Sequence, residues 1–150
     1  MSQQAIDPAM DVVVGTRARR IDHVGVLVRD ADIASVRFVA QLGLERGIDW
    51  TEPGGRFRLL YLEAGDTTLQ LVQPLADGPL ATALASSGEG LHHVCFAVDD
   101  LDRSLRELDA PTLSDPYLGG KGTRVCFLAD RVHGVFVELT EPAPTTLTAP

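Results

Sequence analysis

The sequence contains no apolar run approaching the roughly 20 residues that span a bilayer. Its opening stretch, MSQQAIDPAMDVVVGTRARR, lacks a charged start followed by a long apolar block. Both absences argue against a membrane protein and a secretory signal. Cysteine is scarce: Cys95 and Cys126 are the only two, with no Cys-x-x-Cys spacing. They read as buried thiols of a reduced, cytoplasmic protein rather than as a bridge or a thiolate metal site. Positive charge is also short, and the net charge of −8 argues against nucleic acid and anionic membranes as partners, since both call for basic patches. No low-complexity segment is present. The expected partner is therefore a small molecule, for which a local basic pocket stays open.

A chain of 150 residues is long enough to bury a core without disulfides or a structural metal. Its main internal feature is a repeat. IDHVGVLVRD (21–30) matches LHHVCFAVDD (91–100), with His23 aligned to His93. An acidic helix start follows each strand. In RDADIASVRFVAQLGL, Asp30 or Asp32 can cap, Ile33, Val36 and Val39–Ala40 form a helical stripe, and Gly43 suits the C-terminal cap. DDLDRSLRELDAP is shorter and is ended by Pro111. Each half closes with a strand and a proline, LQLVQP (69–74) and VELTEP (137–142), so that Gln70 stands at the place of Glu138.

Further strand candidates lie at RFRLLYLEAG (56–65) and TRVCFLAD (123–130), with weaker ones near 44–50 and 113–117. Each half thus reads β-α-β-β-β. The expected division is a flexible tail over 1–19, a first module over 20–76, a linker with one short helix over 77–90, a second module over 91–142 and a tail over 143–150. DVVVG (11–15) is a candidate edge strand.

Strand alternation sorts the polar residues. His23, Gly25 and Leu27 share one face, and His93, Cys95 and Ala97 share the corresponding one. The opposite, valine-rich faces are expected to pack on the helices. The histidine faces carry small residues and have room for something else. Gln70 and Glu138 alternate away from their apolar neighbours in the same way. Two imidazoles, one carboxylate and one amide oxygen can chelate a divalent ion, and such a set without thiolate suits Zn, Co, Ni, Mn or Fe(II). The ion would act as a Lewis acid with positions left for a substrate.

His92 alternates to the face opposite His93 and reads as structural, with a supporting role beside the metal ligands as the alternative. His133 lies in an exposed turn, Glu141 past the strand end in solvent, and Cys95 reads as a small apolar residue. GGKG (119–122) lacks the P-loop pattern and reads as a loop entering a strand. A lid whose Lys121 meets an anionic substrate is the alternative.

The segments RIDHVGVLV, LQLVQP, EGLHHVCFAVDD and GVFVELTEP resemble those of the vicinal-oxygen-chelate superfamily, which includes glyoxalase I, extradiol dioxygenases, methylmalonyl-CoA epimerase and antibiotic-binding proteins. The likeness spans about residues 20–142 and is greatest to the epimerases. It implies an α+β fold in which two paired βαβββ modules form a half-open barrel around a metal. It implies the ligand set His23, Gln70, His93 and Glu138, with Glu138 also a catalytic base. It implies an isomerase acting next to a carbonyl, an acyl-CoA substrate and a homodimer. The family's second base, a Glu on the strand before the Gln strand, falls near Leu59, where no carboxylate stands. Arg58 cannot serve as a base near neutral pH, whereas Tyr61 and Glu63 share the face of Leu59. A glyoxalase-like lyase, an Fe(II) dioxygenase or a non-catalytic binding protein for a natural product therefore stays open. Gln70 as a fourth ligand argues against the dioxygenase.

Overall fold

The structure, a computed structural model, describes residues 17–143. The candidate edge strand DVVVG and most of both expected tails lie outside the described residues. The first half runs β1 (Arg20–Leu27), α1 (Ala31–Leu42), β2 (Glu45–Thr51), β3 (Phe57–Ala64) and β4 (Thr67–Pro74). The short helix α2 (Pro79–Ser87) follows. The second half runs β5 (Gly90–Ala97), α3 (Leu101–Leu108), β6 (Tyr117–Leu118), β7 (Arg124–Phe127) and β8 (Phe136–Thr140).

All eight strands form one sheet in the order β2-β3-β4-β1-β5-β8-β7-β6. β1 runs parallel to β4 and β5 parallel to β8, while β1 and β5 meet antiparallel at the centre. In that central pair Val24 faces Val94, flanked by His23 opposite Cys95 and Gly25 opposite His93. The repeat is thus realised as a pseudo-twofold arrangement about Val24 and Val94. Side chains of β3 and β7, near the two ends of the sheet, line one cavity. The sheet is therefore curled into a half-barrel with its concave face inward.

Helices α1 and α3 cover the convex face, whereas α2 packs Leu80, Ala83 and Leu84 against Leu27, Leu59, Tyr61 and Val72 at the rim of the concave face. Val28, Leu60, Leu62 and Leu71 pack with Val26, Ala31, Ala34 and Phe38 under α1. Val98, Leu101, Cys126 and Leu139 pack with Phe96, Leu105 and Val137 under α3. Asp30 and Asp100 cap the two helices, their carboxylates accepting from Ile33 N and Arg103 N at 3.0 Å each. Gly43 closes α1 in the left-handed conformation at φ 71°.

Four expectations are corrected. The apolar stripe of α1 faces outward, with Ile33 72% and Val36 62% exposed, and the helix instead buries Ala31 and Ser35. Small residues let its axis sit close to the sheet. The weak strand expected near 113–117 is a two-residue pairing at Tyr117–Leu118, preceded by a lone Thr112–Leu128 bridge. Glu141 is half-buried and engaged rather than free in solvent: its carboxylate accepts from Leu101 N at 2.9 Å and pairs with Arg124 at 3.0 Å. Gln73 does the same for α1, accepting from Ala31 N at 3.0 Å. His92 is the fourth, and it belongs to the site.

Candidate metal centre

The central strands present their residues in two rows on the concave face. One row runs Tyr61, Gln70, Gly25, His93 and Phe136 across β3, β4, β1, β5 and β8. The next runs Thr68, His23, Cys95, Glu138 and Phe127 across β4, β1, β5, β8 and β7. His23, Gln70, His93 and Glu138 thus surround the two small residues, Gly25 and Cys95. All four are buried. They line a cavity of about 740 Å³ together with Trp50, Leu59, Tyr61 and Phe127.

The three ionisable members converge. His23 Nε2 lies 3.2 Å from His93 Nε2 and 3.0 Å from Glu138 Oε1, which is 3.7 Å from His93 Nε2. Glu138 Oε1 is nevertheless fully buried without a hydrogen bond of good geometry. An orphaned carboxylate oxygen in the interior is costly unless something else satisfies it. Neighbouring donors around an ion with bonds of about 2.1 Å stand about 3 Å apart, so the spacing fits a divalent cation.

Gln70 flanks the group, with its Nε2 donating to the Tyr61 hydroxyl at 2.7 Å. Gly25 makes room: a Cβ there would overlap the imidazole of His93.

Each histidine is held by the residue before it. Asp22 Oδ2 accepts from His23 Nδ1 at 2.8 Å, and His92 Nδ1 meets His93 Nδ1 at 2.7 Å. Both holders are skipped in the β1–β5 ladder, which shifts register between Ile21 and His23 and between Gly25 and Val26. Such bulges turn a side chain off strict alternation. That is why His92 lines the cavity rather than the opposite face. The histidines' outer nitrogens are thereby tied, leaving both Nε2 atoms for the centre, as second partners do in metal sites. Asp22 was missed in the sequence. The dipeptides Asp22-His23 and His92-His93 at equivalent places in the repeat were the available signal.

Burial alone would raise the Asp22 pKa, but the hydrogen bond from His23 and the charge of Lys121 hold it down to about 2. Burial likewise opposes protonation of His23, yet Asp22 and Glu138 raise its pKa above the usual value. Burial, reinforced by His23 and His92, lowers His93 well below the ordinary range. One of the two imidazoles is therefore poised as a neutral donor. A second cluster of Asp22, His23 and Cys95 is less suited to a metal. Asp22 is already engaged, and burial pushes the Cys95 thiol far up, keeping it protonated.

The other residues sort as follows. Leu59 is buried on the cavity wall beside Tyr61, and Glu63 is exposed. Arg58 is tied to Asp32 and Asp49. His133 sits in an exposed turn at φ 49°. Lys121, expected in a plain loop, reaches into the cavity.

Comparison with known proteins gives the family. The model of the glyoxalase/bleomycin resistance protein/dioxygenase superfamily matches residues 22–127. The chain belongs to that superfamily. It is 32% identical over 131 residues to the ethylmalonyl-CoA/methylmalonyl-CoA epimerase of Cereibacter sphaeroides, covering 81% of this chain and 97% of that protein. A solved methylmalonyl-CoA epimerase in complex with methylmalonyl-CoA and NH4+ superposes with a TM-score of 0.77 at 31% identity, covering 85% and 97% of the two chains. The methylmalonyl-CoA epimerase of Mycobacterium tuberculosis gives a TM-score of 0.79 at 26% identity, covering 93% and 98%. Among the described residues, no helix is long and apolar enough to cross a membrane.

Proposed function

We propose that this superfamily member is a metal-dependent epimerase of malonyl-type acyl-CoA thioesters, with His23, Gln70, His93 and Glu138 as the metal ligands. The observation that carries this reading is the buried Glu138 Oε1, which lacks a hydrogen bond of good geometry and faces two imidazole nitrogens, in a chain similar to methylmalonyl-CoA epimerases. When bound, a divalent ion supplies Lewis-acid polarisation of the substrate carbonyl oxygen.

The chain's own groups would handle the protons. Among the described residues lining the cavity, Asp22 and Glu138 are the only carboxylates. Asp22 is committed to His23 and Lys121, which leaves Glu138 to accept the α-proton. On the other wall, where the family resemblance puts a second carboxylate, stand Leu59 and Tyr61. The Tyr61 hydroxyl accepts from Gln70, so its own proton is free to point at the substrate. Burial, with Glu138 adding to it, pushes its pKa up against the opposing Gln70 bond and keeps it protonated. We assign Tyr61 as the group that returns a proton from that side, with solvent restoring both groups.

The test is proton NMR of methylmalonyl-CoA in deuterated buffer, with cobalt-loaded protein against a chelated control. Metal-dependent, catalytic loss of the α-proton signal is expected. Exchange no faster than in the control contradicts the reading and turns the search to other oxygen-chelating substrates or to a binding role.

A further inference from the structure

Lys121 is the only lysine in the chain, and it is placed inside the cavity. It lies between β6 and β7 in a tight turn, where Gly119 N donates to Thr123 O at 2.9 Å and Gly122 N to Gly119 O at 3.0 Å. The turn belongs to the second half of the chain but is seated on the β3 wall of the first. A Cβ on Gly120 would stand 2.8 Å from the Tyr61 hydroxyl and 2.9 Å from Leu59 Cδ1. Only glycine permits that approach, and it delivers the next residue over the site.

The Lys121 side chain is 22% exposed, and its Nζ lies 3.2 Å from Asp22 Oδ2 and 5.4 Å from the centre of the Tyr61 ring. An ammonium has three donors. Asp22 takes one, and no other hydrogen-bond acceptor meets Nζ among the described residues. Asp22 does not depend on this cation alone. It also accepts from His23 at 2.8 Å and from Arg20 at 3.2 Å. The other cationic side chain on the lining that is not an imidazole, Arg131, is exposed and stacks on Phe136 at 4.3 Å. The cavity interior therefore holds one ammonium with donors to spare, beside Tyr61 and bonded to Asp22, the neighbour in sequence of the ligand candidate His23.

We infer that Lys121 determines specificity by pairing with a carboxylate carried next to the acyl carbonyl of the substrate, so that malonyl-type thioesters are selected over simple acyl thioesters. This rests on the epimerase reading and adds to it the residue that distinguishes the two substrate classes. Leu59 fits the same picture. It is apolar and lines the same wall, so no like charge stands there against the substrate's carboxylate.

The experiment compares calorimetric binding of methylmalonyl-CoA and of propionyl-CoA, which lacks the carboxylate, to cobalt-loaded wild type, Lys121→Met and Lys121→Arg. Lys121→Met is expected to weaken methylmalonyl-CoA about tenfold, the loss of one charge-assisted hydrogen bond. Propionyl-CoA and cobalt affinities stay within about twofold. Lys121→Arg keeps part of the preference. If Lys121→Met does not fold, Lys121→Gln, which retains a donor for Asp22, carries the same comparison. An unchanged ratio between the thioesters overturns the inference while leaving the epimerase reading intact. Equal weakening of both thioesters together with lost cobalt affinity also overturns it, because Lys121 would then act only through Asp22 and His23. Binding of neither thioester by wild type removes the epimerase reading and this inference with it.

Discussion

Replacing Gly25 with alanine tests how closely the centre is built. Gly25 lies directly opposite His93 in the β1–β5 ladder. The three atoms nearest a Cβ at that position all belong to the His93 imidazole, and all are closer than real contacts allow. His93 cannot shift freely, since it is buried against His92 at 5.0 Å and Phe127 at 5.1 Å between ring centres. Overpacking of this kind costs about 1–3 kcal/mol, and relief requires the ring to swing away from His23 and Glu138. Gly25→Ala should therefore lower stability by about 1–3 kcal/mol and weaken cobalt binding by about 10–100-fold or more. Urea denaturation and calorimetric titration measure the two effects. The double variant Gly25→Ala/His93→Ala removes the obstacle, so adding Gly25→Ala to His93→Ala should cost less than about 0.5 kcal/mol. Wild-type cobalt affinity in Gly25→Ala, or an undiminished stability cost in the double variant, would refute the reasoning.

Asp22→Asn and His92→Phe should each weaken cobalt about 10–100-fold by loosening the histidine they hold; unchanged calorimetric affinity in both would argue that the bulges are incidental. Metal uptake should release protons near pH 7, because the Asp22 and Glu138 partners raise the His23 pKa against the effect of burial, so affinity falls as pH is lowered through neutrality. Enthalpies compared in buffers of different ionisation heat count the protons, and no release contradicts the assignment. In metal-free protein the depressed Asp22 carboxyl contributes about 2 kcal/mol. That stability is present above its ordinary pKa of 3.8 and lost as pH falls through about 2. Asp22→Asn should flatten acid unfolding in that window, as followed by circular dichroism. Glu141→Ala should cost about 1–3 kcal/mol, because it strips both Leu101 N and Arg124 of a charged partner; a denaturation midpoint equal to wild type would return Glu141 to the solvent.

Much of the concave face was legible in the sequence, because period-two alternation is a property of any regular strand. It put His23 with Gly25, His93 with Cys95, and Gln70 and Glu138 on one side, and the small size of Gly25 and Cys95 marked where space would be left. Alternation failed at Asp22 and His92, where the ladder skips a residue and the side chain changes face. It also misled on α1, where the bulky Ile33 and Val36 looked like the buried stripe and the small Ala31 and Ser35 were the ones set against the sheet. Gln73 and Glu141 act on helix starts distant in sequence, so no local pattern announces them. For Lys121 the sequence leaves both a plain loop and a lid open, because a glycine-rich loop carries no period from which the direction of its side chain could be read.

The most direct test of the centre itself is cobalt stoichiometry, measured on wild type, His23→Ala and His93→Ala after exhaustive chelation and reloading. The account predicts one tightly bound ion per chain in wild type and none retained through gel filtration in either variant. One ion per chain in both variants would contradict it.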